Sequence, residues 1–324
     1  MASNLHKAKK EKNDEFYTQL PDIERELKNY KSHFKNKVVY CNCDDPMESN
    51  FFKYFVMYFN VLGLKKLITT SYEGTEQKVI TITEVKDMND DGGIDLDDVK
   101  IWLKKNPHAS VKLIGDGKYK AGDFRSEQCM ELLQIADIVV TNPPFSLFRE
   151  FVATLMANKK KFLIVGNNNA ITYKEIFPLI RENKIWLSYD SNKTWWFRVP
   201  DNYPLSGSLT KETKEGKFIG VPAISWFTNL SHSKRNDEII LVEKYKGNED
   251  KYPKYDNYNA IEVSKVILIP KDYNGVMGVP ITFLDKYNPE QFEIVKFRKG
   301  DDEKDLSVNR KSPYFRILIK RKKA

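Results

Sequence analysis

Between residues 22 and 182, short β-branched runs alternate with helical stretches at a pace that leaves few folds open. The strand-like runs are 37–41, 66–70, 77–83, 111–114, 136–140 and 161–165. The helical stretches are 22–30, 51–59, 98–105, 126–134, 147–158 and one near 173–182. A strand that returns parallel to its predecessor needs a crossover, and a helix is the ordinary one. The alternation therefore predicts an α/β fold, a mixed and largely parallel sheet with helices on both faces.

Past about residue 185 the texture changes. Trp195, Trp196 and Trp226 stand among many Tyr, Pro and Asn residues, and helical periodicity is mostly lost. The segment Tyr252–Pro253–Lys254–Tyr255–Asp256–Asn257–Tyr258 is too polar and aromatic for a core element. Residues 317–319 end the chain's apolar pattern with a strand-like run ahead of a basic tail. The expected organisation is a basic arm over 1–13, a catalytic part over 14–185 and a β- and loop-rich recognition region over 186–324.

Composition excludes several classes. Of 324 residues, 41% are hydrophobic and 30% charged, an ordinary globular balance. No apolar run approaches the ~18 residues of a membrane span. The charged first residues carry no apolar stretch of a secretory signal. Cys41, Cys43 and Cys129 form neither a paired framework nor a zinc ribbon, which fits a reducing cytoplasm. Each cysteine beside the first strand reads most simply as a small buried hydrophobe. The net charge of +8 favours a polyanionic partner. His6, His33, His108 and His232 are scattered without ligand spacing, so no catalytic metal is expected.

Chemistry concentrates where the run 136–140 passes through Thr141 into Asn142–Pro143–Pro144–Phe145. In a parallel sheet, ligands sit at the carboxyl ends of strands. Two prolines fix the backbone and remove donors, leaving carbonyls out of any ladder. An Asn side chain and such a carbonyl can accept both hydrogens of an exocyclic amino group while the ring stacks on the base. The plain alternative is a proline-rich turn after a strand.

These residues resemble the catalytic motif of amino-group DNA methyltransferases. Together with residues 14–19, 38–46 and 272–280, they are similar to the EcoRI-type adenine-N6 enzymes in particular. The resemblance is dense over 14–72, 116–187 and 250–320 and thins elsewhere. It implies the S-adenosylmethionine-dependent methyltransferase fold, with S-adenosyl-L-methionine as donor. Carried over by position, Phe16, Tyr17 and Thr18 and the loop residues Asn42, Asp44, Asp45 and Pro46 would cradle the donor's methionine part. Asp123 and Phe124 would hold its adenine. Many methyltransferases place a glycine-rich turn after the first strand, and here Cys43–Asp44–Asp45–Pro46 stands in its place. Ordinary readings remain beside these: an Asx turn for Asp44–Asp45–Pro46, a surface turn for Asp123–Phe124, a core aromatic for Tyr17.

The resemblance also implies double-stranded DNA as substrate, a flipped adenine and a restriction-modification setting. A cognate endonuclease would act without a stable complex, and the enzyme as a monomer with no membrane partner. Similarity over 272–280 implies GAATTC as the site. Lys7, Lys9, Lys10 and Lys12 are expected on phosphates, and Lys254, Asn257 and Asn274 on DNA. The runner-up is methylation of an amino group in RNA or of a protein glutamine, and a second class is a non-catalytic DNA-binding module. Trp195–Trp196 could stack on nucleic acid, although a core role in the second region suits them better.

A last pattern stands apart. Asp87, Asn89, Asp91 and Asp98, with Gly92 between, fit a twelve-position calcium loop, but no helix precedes it and position twelve is Asp. A solvated acidic turn is the favoured reading.

Overall fold

The computed structural model describes residues 18–43, 45–72, 77–191, 193–201 and 203–322. Two compact units emerge. One contains the described residues up to Tyr173 together with Asp190–Leu230; the other contains Lys174–Tyr189 and the chain from Ser231 onward.

The first unit is the expected α/β sheet. Its strands are β1 (Val38–Cys41), β2 (Lys66–Thr70), β3 (Lys78–Ile82), β4 (Ser110–Lys112), β5 (Ile138–Thr141), β6 (Lys161–Asn167), β7 (Lys193–Val199), β8 (Thr210–Thr213) and β9 (Gly216–Thr228). Their order runs β4-β3-β2-β1-β5-β6-β9, with β7 and β8 also paired to β9. The central four, β2-β1-β5-β6, are parallel. Strands β3 and β9 flank them antiparallel, and β4 pairs antiparallel with β3 at the outer edge. All four residues of β1 and of β5 are buried, as strands covered on both faces must be.

Helices cover the two faces. Val39, Leu67, Val140 and Leu163 join one core with Phe51, Phe52 and Phe55 of α1 (Asn50–Met57) and Val99 and Trp102 of α2 (Leu96–Lys105). On the opposite face Tyr40 meets Cys129 of α3 (Glu127–Ile135). There too Phe148 of α4 (Phe148–Ala157) meets Phe227 edge-on at 5.0 Å. Each fully buried Phe is worth about 1.5–3 kcal/mol.

The boundary expected at 185/186 is drawn differently by the fold. Strand β9 pairs with β6 over Ile224–Thr228, so residues 190–230 complete the first unit's sheet. The chain rejoins it at Asp190, which pairs with Arg25 and whose backbone N–H donates to Glu26. The sequence gives no warning of this, because strand order is set by pairing far apart in the chain.

In the second unit β10 (Ala260–Glu262), β11 (Val276–Pro280), β12 (Phe292–Phe297) and β13 (Arg316–Arg321) form a sheet in the order β10-β11-β13-β12. One expectation fails here. Tyr252 and Tyr255, thought too polar for a core, are buried. Their hydroxyls are satisfied inside, Tyr252 donating to Leu268 O at 3.0 Å and Tyr255 to Glu262, which Arg316 also binds. A buried tyrosine is tolerated once its hydroxyl is paired. Trp195 is buried, but in the core of the first unit and not of the recognition region, while Trp196 is half-buried under the Lys211 ammonium at 4.5 Å.

The loop at 87–98 is wired through its own backbone. The Asp87 carboxylate accepts from Gly92 N at 2.8 Å, Asn89 from Asp91 N at 3.1 Å and Asp91 from Gly93 N at 2.9 Å. Asp98 accepts from Met88 N and Asp95 N and closes the capping box that starts α2. Among the described residues no group of three or more His, Cys, Asp or Glu is placed to hold a metal ion. No described helix is long and apolar enough to cross a membrane.

Candidate active site

The order β2-β1-β5 contains a reversal: the chain leaves β1 towards β2 and later returns to β1's other side as β5. Loops leaving such a switch point diverge and leave a crevice for ligands. Of the three segments that the sequence singled out, 42–46 and 142–145 leave from the carboxyl ends of β1 and β5, and 123–124, which follows β4, packs at the end of β2.

After β5 come Asn142, Pro143, Pro144 and Phe145. Asn142 and Pro143 are buried, and Pro144 and Phe145 half-buried. The prolines stop the strand, and a 3-10 turn over Phe145–Leu147, with Leu147 N donating to Pro144 O at 2.9 Å, leads into α4. Phe145 meets Phe197 edge-on at 6.5 Å, and Phe197 meets Trp195 at 6.1 Å. The Asn142–Phe145 turn thus rests on an aromatic column of β7, which nothing near the motif in sequence announced.

After β1 come Asn42 and Cys43. Cys43 has φ 79°, the left-handed conformation glycine adopts most easily. It is half-buried rather than the fully buried small hydrophobe expected; Cys41 is buried. The glycine-like turn is present without the glycine. Asp45 shows the ordinary alternative, an Asx turn: its Oδ1 accepts from Met47 N at 2.8 Å. Pro46 is buried in the same turn. The decisive contact is the Thr141 hydroxyl, which donates to the Asn42 carbonyl. One hydrogen bond ties the loop after β1 to the strand that delivers Asn142.

After β2 comes Ser71, and against it packs Gly122. With φ 78°, a β-carbon on Gly122 would stand 1.9 Å from Ser71 O, so glycine alone permits the approach. This packing sets Asp123 and Phe124 at the end of β2. Phe124 is buried against Phe151, edge-on at 4.9 Å. The Asp123 carboxylate is held by Arg125, whose Nε and Nη2 donate at 2.9 and 2.8 Å. Pairing with Asp123 also raises the Arg125 pKa. Sequence reasoning named Asp123 and missed Arg125, two residues on.

Thr18 lies beside the same site through Asn50, whose Nδ2 donates to the Thr18 carbonyl at 2.8 Å. Phe16, Tyr17 and Asp44 lie outside the described residues, as do Lys7, Lys9, Lys10 and Lys12. Two buried polar atoms, Thr18 Oγ1 and Asn42 Oδ1, have no partner among the described residues. Such atoms are costly to bury unmet. A donor carrying an ammonium and ribose hydroxyls would satisfy them, so this chain's residues fit S-adenosylmethionine.

The residues expected on DNA behave differently. Asn257 spends its amide inside its loop: Nδ2 donates to Asp302 at 2.9 Å and Asp305 O at 3.0 Å, and Oδ1 accepts from Ser307 N at 3.2 Å. It shapes a turn, and both of its amide hydrogens are engaged inside the loop. Lys254 is exposed on an open cleft of about 590 Å³ that Asp256, Asp301 and Asp302 also line. Asn274 is exposed, next to Asp272, whose carboxylate accepts from Tyr245 N and Lys246 N.

Comparison with known proteins agrees with this architecture. The sequence profile of the family described as adenine-specific methyltransferase EcoRI matches residues 4–322. The chain is 52% identical over 328 residues to the type II methyltransferase M.EcoRI of Escherichia coli, covering 98% of this chain and 96% of that one. It is 40% identical over 340 residues to the type II methyltransferase M.MgeORF184P of Mycoplasma genitalium, covering 98% of each. With the type II methyltransferase M.MpnI of Mycoplasma pneumoniae it shares 42% over 294 residues, 90% of this chain and 84% of that one. No solved structure matches. A match that spans both units, and not the catalytic turn alone, places the chain in the EcoRI family of adenine-specific methyltransferases.

Proposed function

We propose that this enzyme transfers a methyl group from S-adenosyl-L-methionine to N6 of an adenine extruded from duplex DNA. The observation that carries the reading is the Thr141–Asn42 hydrogen bond, which couples the donor loop to the catalytic turn at a topological switch point. The donor supplies an electrophilic methyl on a sulfonium. Thr18 Oγ1 and Asn42 Oδ1 take up its polar groups, and Phe124 lies against its adenine.

The target amino group is paired and stacked within a duplex, so the base must leave it. Asn142 Oδ1 and the Pro143 carbonyl accept its two N–H bonds. That turns the nitrogen lone pair out of ring conjugation and towards the methyl. Phe145 stacks on the extruded ring. Proximity and the two preorganised acceptors are the main rate terms. No strong general base is required, because the proton can leave after transfer.

The type II relatives support a restriction-modification setting; the target in this reading is GAATTC, with its inner adenine as acceptor. The 52% identity to M.EcoRI is the support for that site. Under this reading the residues up to 185 carry the chemistry, bases are read by loops after 186, and the lysines of the 1–13 arm rest on phosphates. The test is transfer of labelled methyl from S-adenosylmethionine to a GAATTC duplex beside single-base variants. N6-methyladenine at the inner position is expected, with each wrong pair costing about 1–3 kcal/mol. Equal methylation of all variants would overturn the site, and no transfer to any duplex would overturn the reading.

A further inference from the structure

Between β12 and β13 the chain of the second unit makes a two-residue hairpin. Val308 and Lys311 exchange both backbone hydrogen bonds, at 2.9 and 3.0 Å. Asn309 and Arg310 between them both have positive φ, 50° and 63°. The second position of such a turn ordinarily holds glycine, because a β-carbon is strained there. Here the position holds Arg.

Asp256 fixes the turn from beneath. Its Oδ1 accepts from Asn309 N at 3.1 Å, and its Oδ2 from Arg310 N at 2.8 Å and Ser307 Oγ at 3.0 Å. The side chains of Asn309, Arg310 and Lys311 are exposed. Tyr314 is 72% exposed and stacks on Phe315 at 4.8 Å. Among the described residues no ion pair takes up the Arg310 guanidinium or the Lys311 ammonium, and the guanidinium acts on Asp256 only through its charge, helping the backbone N–H of Arg310 and the Ser307 hydroxyl to lower that carboxylate's pKa. Carboxylates nearby are engaged elsewhere, Asp302 with Asn257 and Lys304 N, and Asp305 with Arg298 and Lys299.

We infer that the hairpin Val308–Lys311 is a base-reading finger, with Asn309 and Arg310 reaching base edges in the major groove of the duplex; this rests on the DNA reading above. An Arg fork suits guanine N7 and O6, and an Asn amide suits adenine N6 and N7. Arg310 stands on a turn pinned by three hydrogen bonds, so the direction in which its side chain leaves the backbone is fixed. Lys311 beside it supplies charge to a phosphate.

The test begins with Arg310→Gly, which suits the turn better than Arg and should leave Tm unchanged or raised. The quantity read is kcat/KM on the preferred duplex divided by that on each single-base variant, with the donor KM as control. The ratio should fall about tenfold or more at one base pair, with the donor KM unchanged. Arg310→Lys, which keeps the charge and loses the fork, should lose the same discrimination. An unchanged ratio in both variants overturns the finger. So does equal weakening on all duplexes with a salt slope smaller by about one, which is the mark of a phosphate contact. Wild type that methylates no duplex at all would instead overturn the DNA reading, before any variant is compared.

Discussion

The strand-end loops of the first unit and the surface loops of the second spend their polar groups in opposite ways. At the ends of β1, β2 and β5, polar side chains are buried, and Thr18 Oγ1 and Asn42 Oδ1 find no partner among the described residues. In the second unit Asp256, Asn257 and Asp272 are exposed or half-buried, and each is consumed holding a backbone turn. Unmet capacity inside a crevice is a ligand's place, because burial without partners is a cost that only binding removes. Spent capacity on a surface loop shapes the backbone, and binding is left to whatever side chains the shape projects. One region waits for a small molecule, and the other holds a surface in form.

Substitutions can break that contrast. The largest effect should come from Asn142→Ala, which removes one of two acceptors for the amino group. Turnover should fall on the order of a hundredfold or more, with donor affinity nearly unchanged, read by single-turnover methylation beside equilibrium binding. Gly122→Ala should come next. Its β-carbon meets Ser71 O, so the Asp123–Phe124 turn must leave the end of β2. Donor binding should weaken by roughly tenfold or more, given about 1–3 kcal/mol of strain, in calorimetric titration.

Thr18→Val sharpens the comparison from the other side. It removes an unmet buried hydroxyl, so the donor-free protein should melt at the same temperature or higher, while donor affinity falls by about tenfold, the scale of one net hydrogen bond. Asp272→Ala in the second unit should do the reverse, lowering Tm slightly with donor affinity untouched, since it releases Tyr245 N and Lys246 N.

The smallest effect concerns pH. His232 is buried, and burial pushes its pKa down to about 4, with repulsion from Arg235 and Lys234 adding and the Leu187 carbonyl opposing. The folded state therefore binds a proton less readily than the unfolded chain, whose histidine titrates near 6.5. Stability from the neutral ring is whole above 6.5 and lost as pH falls towards 4. Melting between pH 7 and 4.5 should show this decline, and His232→Gln should flatten it.

Much of this was legible in the sequence, for reasons that also mark where legibility ended. Runs such as 66–70 and 136–140 became parallel strands because β-branched residues buried on both faces suit nothing else so well. The turn after β5 announced itself through its two prolines. Sheet order did not, since β9 is joined to β6 only by pairing across some sixty residues. Tyr252 and Tyr255 misled because composition cannot reveal that Leu268 O and Glu262 wait for their hydroxyls. Asp123 was visible and its Arg125 clamp was not, because the backbone turn that brings the guanidinium round is absent from the letters. Cys43 shows the same limit, a glycine-like conformation without glycine.

The central claim is that the loop after β1 and the Asp123–Phe124 turn packed at the end of β2 hold the donor. A crystal structure with a non-reactive analogue of S-adenosylmethionine tests it most directly. The account expects the analogue across the carboxyl ends of β1 and β2, with Thr18 Oγ1 and Asn42 Oδ1 within hydrogen-bond distance of its polar groups and Phe124 on its adenine. An analogue bound away from those strand ends, with Thr18 Oγ1 and Asn42 Oδ1 still unmet, would contradict it.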